Sequence, residues 1–532
     1  MKKRMTKCKR MLALLLTMLL LFAMGCGAKT PGAAQEADQA QGNGSAAAAE
    51  TPAEKKVLRI GMATDVMSFD MANYVASNDL VSGYWVYDTL VKMDENLQEQ
   101  PCLASSWEQL SETSWQFNLR DDVSFIDGTK MNGEAVKFCL ERAAATARAA
   151  SYSGFIAGIE VKDEYTIVLT TKQPYAAVLN NLANPINCIF SPTAYENNGG
   201  DEGLVNNPVG SGPYKCVEFV INDHSYYERN EDYWGEKPAI DRIEVSVIPE
   251  ESTRLIALQQ GEVDLIYAPS PNEFANIEAD ENLSMIVSPR ARNVYIGINA
   301  KSEALQDANL RHAIQLAIDP DAIVDSILEG QQRKVDGNGL IPVEICKSPF
   351  TIGEGYNPEK AKELLAQSSY NGEPIQFWAP ENRYMRDSQV AQVIQQQLAE
   401  VGINTSLEIV EFGTLTSSLG SGGNVLCLYG WGFTTMEPYT GTNQLLSSSS
   451  VFNYYGFEDP EADAMMEEAM GMTDPAKIAQ VYSEISRRAI EDVHCILPLY
   501  FMNNSYASTA NLTGIWIMPN ELIDVMKADF TA

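Results

Sequence analysis

The chain alternates between short segments in which every second residue is apolar and longer segments in which apolar residues recur every three or four positions. Alternation at period two predicts β-strands, because successive side chains point to opposite faces of a sheet. Spacing of three and four residues predicts amphipathic helices. Strands are predicted from residue 57 onward and at residues 115–120, 165–171, 242–248, 294–300 and 403–412, and helices at residues 309–318, 321–328, 357–365 and 387–401.

The segment 387–401 is the clearest of these helices. Val390, Ile394 and Leu398 fall on one face, and Gly402 follows at a position where helices commonly end. A strand-like segment comes directly after it. The same interleaving of helix and strand runs from residue 300 to 430, and it predicts an α/β fold.

The N-terminus has the pattern of a secretion signal. The first ten residues are basic, and the following apolar run ends in small residues ahead of Cys26. The order Ala23-Met24-Gly25-Cys26 resembles the cleavage site of bacterial lipoproteins. We therefore expect a signal peptide over residues 1–25 and a lipid on Cys26; secretion with cleavage elsewhere and an uncleaved membrane anchor are the alternatives.

Residues 26–56 follow the signal and contain mainly Gly, Ala, Gln, Ser and Glu, with few side chains that a core could bury. This composition predicts a flexible tether. A tether would hold the folded body off the outer face of the cytoplasmic membrane. We therefore expect an extracellular or periplasmic protein that is attached to the membrane by its lipid alone.

Composition narrows the class of function. The chain has 532 residues, 45% of them apolar, which is enough for two or more lobes. Its net charge is -33, and no cluster of Lys or Arg follows the first ten residues, which argues against nucleic acid as a partner. Apart from Cys8 and Cys26, the cysteines form no C-x-x-C pair, and the histidines have no ligand spacing, so we expect buried free thiols, no metal site and no cofactor.

Six sequence blocks, in order along the chain, resemble the family 5 solute-binding proteins of ABC importers, whose members serve oligopeptide, dipeptide and nickel uptake. The stretch 230–265, which begins NEDYWGEKPAIDRIEVSVIPE, is the most specific of them. The others are LRIGMATDVMSFD (58–70), a block beginning LASSWEQL (103–142), GSGPYK (210–215), LRHAIQLAID (310–319) and YNPEKAKELL (356–365).

The resemblance implies a two-lobed α/β clamp of the type II-like kind, with an extra inserted subdomain, that closes over its ligand. By similarity, lobe I comprises residues 57–300 with the inserted subdomain at about 96–207, lobe II comprises residues 301–499, and residues 500–532 return to lobe I. The implied function is capture of a short or modified peptide for ABC permease and ATPase subunits, by a monomer that is not an enzyme.

The resemblance also indicates ligand contacts in the segment GWGFTTMEP, residues 430–438. Trp431 offers a flat apolar face and one N–H donor, although a place in the core is the alternative. Oligopeptide-binding relatives carry an Asp three residues later, where it pairs with the ammonium group of the peptide, but this chain has Thr434. Because a hydroxyl cannot neutralise a buried cation, we expect an acidic ligand without a free amine, unless Glu437 supplies the charge.

Arginines are the other candidates for ligand contact. Arg383 lies before the helix 387–401, in a region where dipeptide-binding relatives carry an Arg that binds a carboxylate, and its fork geometry suits that task. Arg386 is a second candidate in the same loop, and solvation at the surface is the alternative for both. Arg148 lies near an Arg of nickel-binding relatives, whose neighbouring Trp and later His are not matched.

Three other interpretations remain open at this point. In the first, the protein is the same clamp, but its ligand is a nickel chelate or another small organic anion. The second is a secreted hydrolase, although the sequence has neither G-x-S-x-G nor H-E-x-x-H. The third is a receptor lipoprotein that uses the clamp for signalling.

Overall fold

The computed structural model describes residues 55–64, 66–74, 77–335, 339–342, 344–346, 352–423 and 425–531. The predicted signal, Cys26 and almost all of the predicted tether lie outside the described residues. Within the described part, no helix is both long and apolar enough to cross a membrane.

The strands were numbered along the chain. They are β1 Val57–Met62, β2 Val91–Met93, β3 Glu99–Pro101, β4 Ala104–Ser111, β5 Ser114–Leu119, β6 Ile156–Asp163, β7 Thr166–Thr171, β8 Tyr214–Val220, β9 His224–Arg229, β10 Arg242–Val247, β11 Leu265–Tyr267, β12 Leu283–Ile298, β13 Arg333–Lys334, β14 Ile375–Pro380, β15 Thr405–Val410, β16 Leu426–Gly432, β17 Ile496–Thr509, β18 Leu512–Thr513, β19 Trp516–Ile517, β20 Ile523–Asp524 and β21 Asp529–Phe530.

The helices lie between these strands. The α-helices are Ser77–Val86, Gly133–Ala145, Ala150–Ser153, Val178–Leu182, Pro192–Asn197, Asp201–Leu204, Glu251–Gln259, Phe274–Ala279, Ala308–Ala317, Pro320–Ala322, Pro358–Gln367, Asp387–Glu400, Phe412–Gly420, Pro438–Leu446, Pro460–Ala469 and Pro475–Arg487. Short 3₁₀ turns occur at Met71–Asn73, Pro185–Asn187, Pro271–Glu273 and Glu303–Leu305, and π turns at Ile323–Ile327 and Arg488–Asp492. The helix and strand interleaving predicted for residues 300–430 is confirmed.

One large sheet runs through the molecule in the order β15-β14-β16-β12-β17-β11-β1-β10-β9-β8, with β13 added beside β17. We call β11-β1-β10-β9-β8 the first half-sheet and β16-β14-β15 the second half-sheet. Only β12 and β17 connect them: β17 pairs with β11, β12 pairs with β16, and the two strands pair antiparallel with each other. A separate sheet, β4-β5-β7-β6, forms from residues 104–171.

The two connecting strands are far longer than the others. β12 has 16 residues and β17 has 14, whereas strands average five or six. The sequence pattern predicts β12 only from residue 294 onward. Residues 283–293 include Pro289 and two arginines, which hide the alternation of apolar and polar positions.

A bulge interrupts β12 where the half-sheets meet. Pro289 pairs with Asn503 and Asn293 pairs with Phe501, so residues 290–292 of β12 lie opposite Met502 alone. A bulge of this kind bends a strand and redirects its side chains. Here it redirects the side chains of residues 290 and 292.

Several backbone groups of the bulge are hydrogen-bonded outside the β12–β17 ladder. The amide of Ala291 donates to Pro519 O at 2.7 Å, and its carbonyl accepts from the amide of Phe433 at 2.8 Å. Arg333, on β13, donates to Arg290 O at 3.0 Å and to Met502 O at 3.1 Å. These bonds meet the requirement that buried backbone groups be paired, so they fix the bulge in place.

Buried polar side chains join the sequence blocks of the first half-sheet. Asp88 is buried, and its carboxylate accepts from Trp234 Nε1 at 2.9 Å and from Ser211 Oγ at 2.8 Å, with the Tyr233 hydroxyl 3.4 Å away. Ser211 and Trp234 belong to two different blocks, GSGPYK and NEDYWG. Tyr233 and Trp234 therefore form an aromatic corner with a structural role.

Asp88 should be one of the main determinants of stability in this region. Replacement by Ala leaves up to three buried donors without an acceptor, so we expect Asp88→Ala to lower the free energy of unfolding by about 3 kcal/mol. Urea denaturation monitored by circular dichroism measures this. Asp122→Ala, which breaks a partly exposed pair with Arg120, is the control and should lower the free energy of unfolding by less than about 1 kcal/mol. Equal losses in the two variants would contradict the role of Asp88.

Candidate functional site

A cleft of about 1380 Å³ lies on the large sheet where the half-sheets meet. One wall is formed by the helix Glu251–Gln259 and by the loops after β10 and β11, and the opposite wall by residues 382–389. Arg290 on β12 and Asn503 on β17 also line it. Small-molecule pockets typically measure about 300–1,000 Å³, so this cleft is large enough for a short peptide.

Arg290 forms an ion pair with Glu521 at this cleft. Its guanidinium contacts the Glu521 carboxylate, and both side chains are largely buried, with 9% and 17% of their surface exposed. Glu521 lies in the tight turn between β19 and β20 and has a φ of 75°, a conformation that few non-glycine residues adopt. Burial raises the pKa of the Glu521 carboxyl, but Arg290 and Arg292 outweigh burial and hold it below the usual value.

Arg292 lies beside this pair without joining it. Its Nη2 is 3.8 Å from Glu521 Oε1, which is too long for a hydrogen bond, and its Nη1 is 3.5 Å from Gly430 O. Its Nε is buried and has no partner among the described residues. Burial and the neighbouring Arg290 lower the pKa of Arg292, whereas Glu521 raises the pKa of Arg290 above the ordinary value despite burial.

Arg383 lines the cleft, as a ligand-binding residue should. Its guanidinium carbon is 4.7 Å from the centre of the Phe412 ring, and its Nε is buried without a partner in the part of the chain that the structure describes. Asp387, at the start of the helix Asp387–Glu400, accepts from the amide of Arg383 at 2.8 Å and so fixes the loop. Arg383 is near enough to Arg292 to lower the pKa of Arg292.

Arg386 has a different role from the one considered for it. Its guanidinium donates to Ile327 O at 2.7 Å, pairs with Glu329 at 2.7 Å and donates to Asn272 Oδ1 at 2.8 Å. Asn272 follows β11, so Arg386 joins the two walls of the cleft. Because its donors are already used, Arg386 is poorly suited to bind a ligand.

Trp431 lies on β16, directly opposite Asn293 of β12. Its amide donates to Asn293 Oδ1 at 3.2 Å, and its ring centre is 5.5 Å from that of Phe452. The indole Nε1 is buried, with no acceptor among the described residues. A buried N–H without a partner is costly, which is consistent with a donor that a ligand satisfies.

The glycines on either side of Trp431 are required by close contacts. A Cβ at Gly430 would lie 2.8 Å from Asn293 O, and a Cβ at Gly432 would lie 2.9 Å from Arg292 Nη2. Both distances are shorter than real Cβ contacts allow. The Gly-Trp-Gly sequence therefore lets Arg292 lie flat against β16.

Thr434 and Arg148 belong to a second group, outside the lining of the cleft. Thr434 Oγ1 donates to the Tyr152 hydroxyl at 3.2 Å, and the Thr434 carbonyl accepts from Asn184 Nδ2 at 3.2 Å. Arg148 stacks over the Tyr74 ring at 4.6 Å, and Tyr74 is hydrogen-bonded to Tyr152. The two predicted residues are thus linked through a pair of tyrosines.

Glu437 caps a helix. Its carboxylate accepts from the amides of Tyr439 at 2.5 Å and Thr440 at 3.2 Å, and from the Thr435 hydroxyl at 2.6 Å. This is the N-cap of Pro438–Leu446. Burial raises the pKa of Glu437 although the hydrogen bonds oppose it, and no ligand contact is needed to explain the residue.

Histidine and cysteine form no cluster that could hold a metal in the described part of the chain. His312 and His494 stack at 4.1 Å, and burial together with the neighbouring His312 lowers the pKa of His494 to about 4. Both lie away from the cleft. The seven described cysteines are free thiols, six of them buried, as expected.

The sequence missed three charged residues at or beside the cleft: Arg290 lines it, and Arg292 and Glu521 lie next to Arg290. A signal for the arginines was present, because two charges at alternate positions within an otherwise apolar strand are unusual. Glu521 gave no such signal, because only folding brings its turn to β12.

A cleft between two half-sheets that two strands connect is the architecture of a solute-binding protein. Residues 98–453 match the family described as bacterial extracellular solute-binding proteins, family 5 Middle. The chain belongs to this family.

Individual relatives agree with this assignment. The glutathione-binding protein GsiB of Shigella flexneri is 30% identical over 460 residues, which cover 83% of this chain and 88% of that protein. GsiB of Pectobacterium atrosepticum is 30% identical over 464 residues, covering 84% and 88%. Both of these relatives are named as binding proteins.

Solved structures show the same two-lobed fold. The DppA periplasmic binding protein of Helicobacter pylori, in complex with the peptide STSA, superposes with a TM-score of 0.76 at 25% identity, covering 89% of this chain and 98% of that one. NikA of Brucella suis, in complex with Fe(III)-EDTA, gives a TM-score of 0.80 at 24% identity, covering 89% and 100%. The two-lobed α/β clamp inferred from the sequence is confirmed.

The unpaired indole of Trp431 generates a test. If the ligand accepts a hydrogen bond from Nε1, Trp431→Phe should weaken binding without lowering stability, because it removes a buried donor that is unpaired in the free protein. Trp431→Ala should weaken binding by about 1–3 kcal/mol, the scale of one buried aromatic contact. Calorimetry measures the change in affinity of each variant, and thermal melting measures the change in its stability.

Trp378→Phe is the matched control for this experiment. Trp378 lies on β14 and also has a buried Nε1 without a partner among the described residues. Its replacement should leave affinity unchanged. Unchanged affinity together with lowered stability in Trp431→Ala would make Trp431 a core residue.

Proposed function

We propose that this protein captures a short or modified peptide by its carboxylate groups and delivers it to the permease and ATPase subunits of an ABC importer. One observation carries the ligand class: Arg290 and Arg383 line the cleft, and Arg292 lies close to both of them. An arginine fork matches a carboxylate. The kinship to GsiB supports the proposal, because glutathione is a tripeptide with two carboxylates.

Closure of the clamp fits the same geometry. We place lobe I at residues 57–300, with the inserted subdomain at about 96–207, lobe II at residues 301–499, and the return segment at residues 500–532. The hydrogen bonds from Arg386 to Asn272 and from Thr434 to Tyr152 would then join the lobes. A ligand in the cleft would be covered on both sides.

Binding alone accounts for the site. Glu437 is a buried acid beside the Gly-Trp-Gly segment, but its carboxylate caps a helix. His312 and His494 stack on each other away from the cleft, so they offer no general base beside Arg383 or Trp431. We therefore propose that the protein is not a hydrolase. Incubation with peptides and glycans, followed by mass spectrometry, should detect no turnover.

A metal chelate is the second candidate ligand. The NikA structures contain Ni(L-His)2 and Fe(III)-EDTA, and a chelate of that kind brings its own metal ligands. Its outer carboxylates would use the same arginines. Native mass spectrometry of the purified protein with its co-purified ligand separates the chelate from a peptide by mass.

Thr434 makes a prediction about the ammonium end of a peptide. The Thr434 hydroxyl bonds to Tyr152 and Glu437 is engaged in capping, so neither residue would supply a counter-charge to a free amine bound beside Thr434. We expect wild type to bind N-acetyl-Ala-Ala-Glu at least about tenfold more tightly than Ala-Ala-Glu. Thr434→Asp should shift the preference toward the free amine. Isothermal titration calorimetry measures all of these affinities.

Thr434→Asn is the control, because it alters the side chain without adding a charge. This variant should keep the preference of wild type for the blocked peptide. Equal or tighter binding of Ala-Ala-Glu by wild type would contradict the prediction and would show that another acid serves the ammonium group.

Attachment to the membrane by Cys26 is also part of the proposal. Replacement of the lipidated cysteine removes the only expected anchor, so Cys26→Ser should release the folded protein into the periplasm or medium. Cell fractionation in high salt, followed by immunoblotting, measures the distribution. Cys8→Ser, within the predicted signal, is the control and should stay with the membrane. If Cys26→Ser also stays with the membrane, the lipoprotein assignment is wrong.

A further inference from the structure

One hydrogen bond spans the cleft from wall to wall. Arg386 Nη2, on the wall formed by residues 382–389, donates to Asn272 Oδ1 at 2.8 Å, in the loop after β11 that forms the opposite wall. The other terminal nitrogen of the same guanidinium is already engaged, because Nη1 donates to Ile327 O and to the Glu329 carboxylate, each at 2.7 Å. Arg386 is therefore held through one nitrogen and reaches across the cleft with the other.

A buried arginine fixes the loop that carries Asn272. Arg254 is only 2% exposed, and its guanidinium donates to backbone carbonyls of the loops after β10 and β11. The acceptors are the carbonyls of Ile248 and Pro249 at 2.7 Å, Tyr267 at 3.0 Å and Ala268 at 3.1 Å. The amide of Ala268 also donates to Ser505 O of β17 at 2.9 Å. The base of the loop is thus tied to the large sheet.

Backbone in an uncommon conformation lies on both sides of this hydrogen bond. Ala268 has a φ of 46°, Arg386 a φ of 51° and Glu329 a φ of 52°, in the left-handed region that few residues other than glycine adopt. Such conformations persist only where the surrounding structure imposes them, and they cluster at binding sites and clamps. The fold therefore specifies where the two partners of the hydrogen bond stand.

We propose that the Arg386–Asn272 hydrogen bond is a latch, which holds the two walls of the cleft together and sets how slowly a bound solute is released. This inference rests on the proposed function, in which the solute lies in the cleft and the clamp closes over it. A contact that forms in the closed clamp and breaks in the open one raises the population of the closed state, so it acts mainly on the dissociation rate. Asn272 is thereby a positioning residue that acts through Arg386.

The test varies the charge at position 272, where the side chain is exposed and folding does not depend on it. Asn272→Ala removes the acceptor and should speed dissociation of N-acetyl-Ala-Ala-Glu about fivefold. Asn272→Lys sets a second cation beside Arg386 and should speed it about tenfold or more, whereas Asn272→Asp forms an ion pair and should slow it about threefold. Association rates should stay within about twofold. Stopped-flow tryptophan fluorescence measures both rates.

Asn276 offers the matched control. It is exposed in the helix that follows the same loop, and its amide donates to Glu273 Oε2 at 2.8 Å. Asn276→Asp and Asn276→Lys make the same changes of charge and should leave the dissociation rate within about twofold of wild type. In an Arg386→Gln background, Asn272→Asp should no longer slow dissociation, because the guanidinium that would bind the carboxylate is gone. Thermal melting establishes that each variant is folded, and Arg386→Lys with Asn272→Ala replaces this pair if Arg386→Gln is not.

A second measurement needs no ligand. Small-angle X-ray scattering of the protein alone should give a larger radius of gyration for Asn272→Lys than for wild type, and no increase for Asn276→Lys. If N-acetyl-Ala-Ala-Glu does not bind to wild type, the proposed ligand class fails, and the radius of gyration still decides the latch. Equal dissociation rates or equal radii for wild type and Asn272→Lys would overturn the latch and leave capture of a solute untouched.

Discussion

The structure depends on one constraint: two antiparallel strands must connect two half-sheets and still present polar side chains at the junction. In a regular antiparallel ladder, each of residues 290–292 on β12 would lie opposite a residue of its own on β17. The bulge releases them, and Arg333, Pro519 and Phe433 bond the backbone groups that would otherwise be left unpaired. The junction thus redirects the side chains of residues 290 and 292 while these backbone groups keep hydrogen-bond partners.

Electrostatics explains why so many charges can remain in the interior at this point. A paired charge is tolerable in a protein, but an unpaired one is costly. Here Arg290 pairs with Glu521, and Arg383 lines a cleft that solvent and solutes can enter. The protein is strongly acidic overall, with a net charge of -33. A local positive group in such a chain is therefore a specific feature of the site, and the general surface charge does not explain it.

Local sequence signals predicted the local structure well. The helix Asp387–Glu400 and the strand Val57–Met62 lie within one residue of their expected positions, because their apolar spacing is regular and Gly402 marks the helix end. Arg383 was proposed from the resemblance to dipeptide-binding relatives, which carry a carboxylate-binding Arg in this region. The first half of β12 and the pairing of Arg290 with Glu521 were missed, because 230 positions separate the two residues and no periodicity encodes their contact. Glu437 shows the converse: its capping role follows from the Glu-Pro pair itself.

The position of β17 in the chain has a consequence for how the protein is made. This strand lies between β12 and β11, so the large sheet is not continuous until residues 496–509 are in place. The turn that carries Glu521 comes later still. A nascent chain would hold two unjoined half-sheets until β17 had been synthesised, and pairing across such sequence distances is slow. Late closure of this kind keeps a polypeptide unfolded for longer during export, and it makes the docking of β17 the step that commits the protein to its final form.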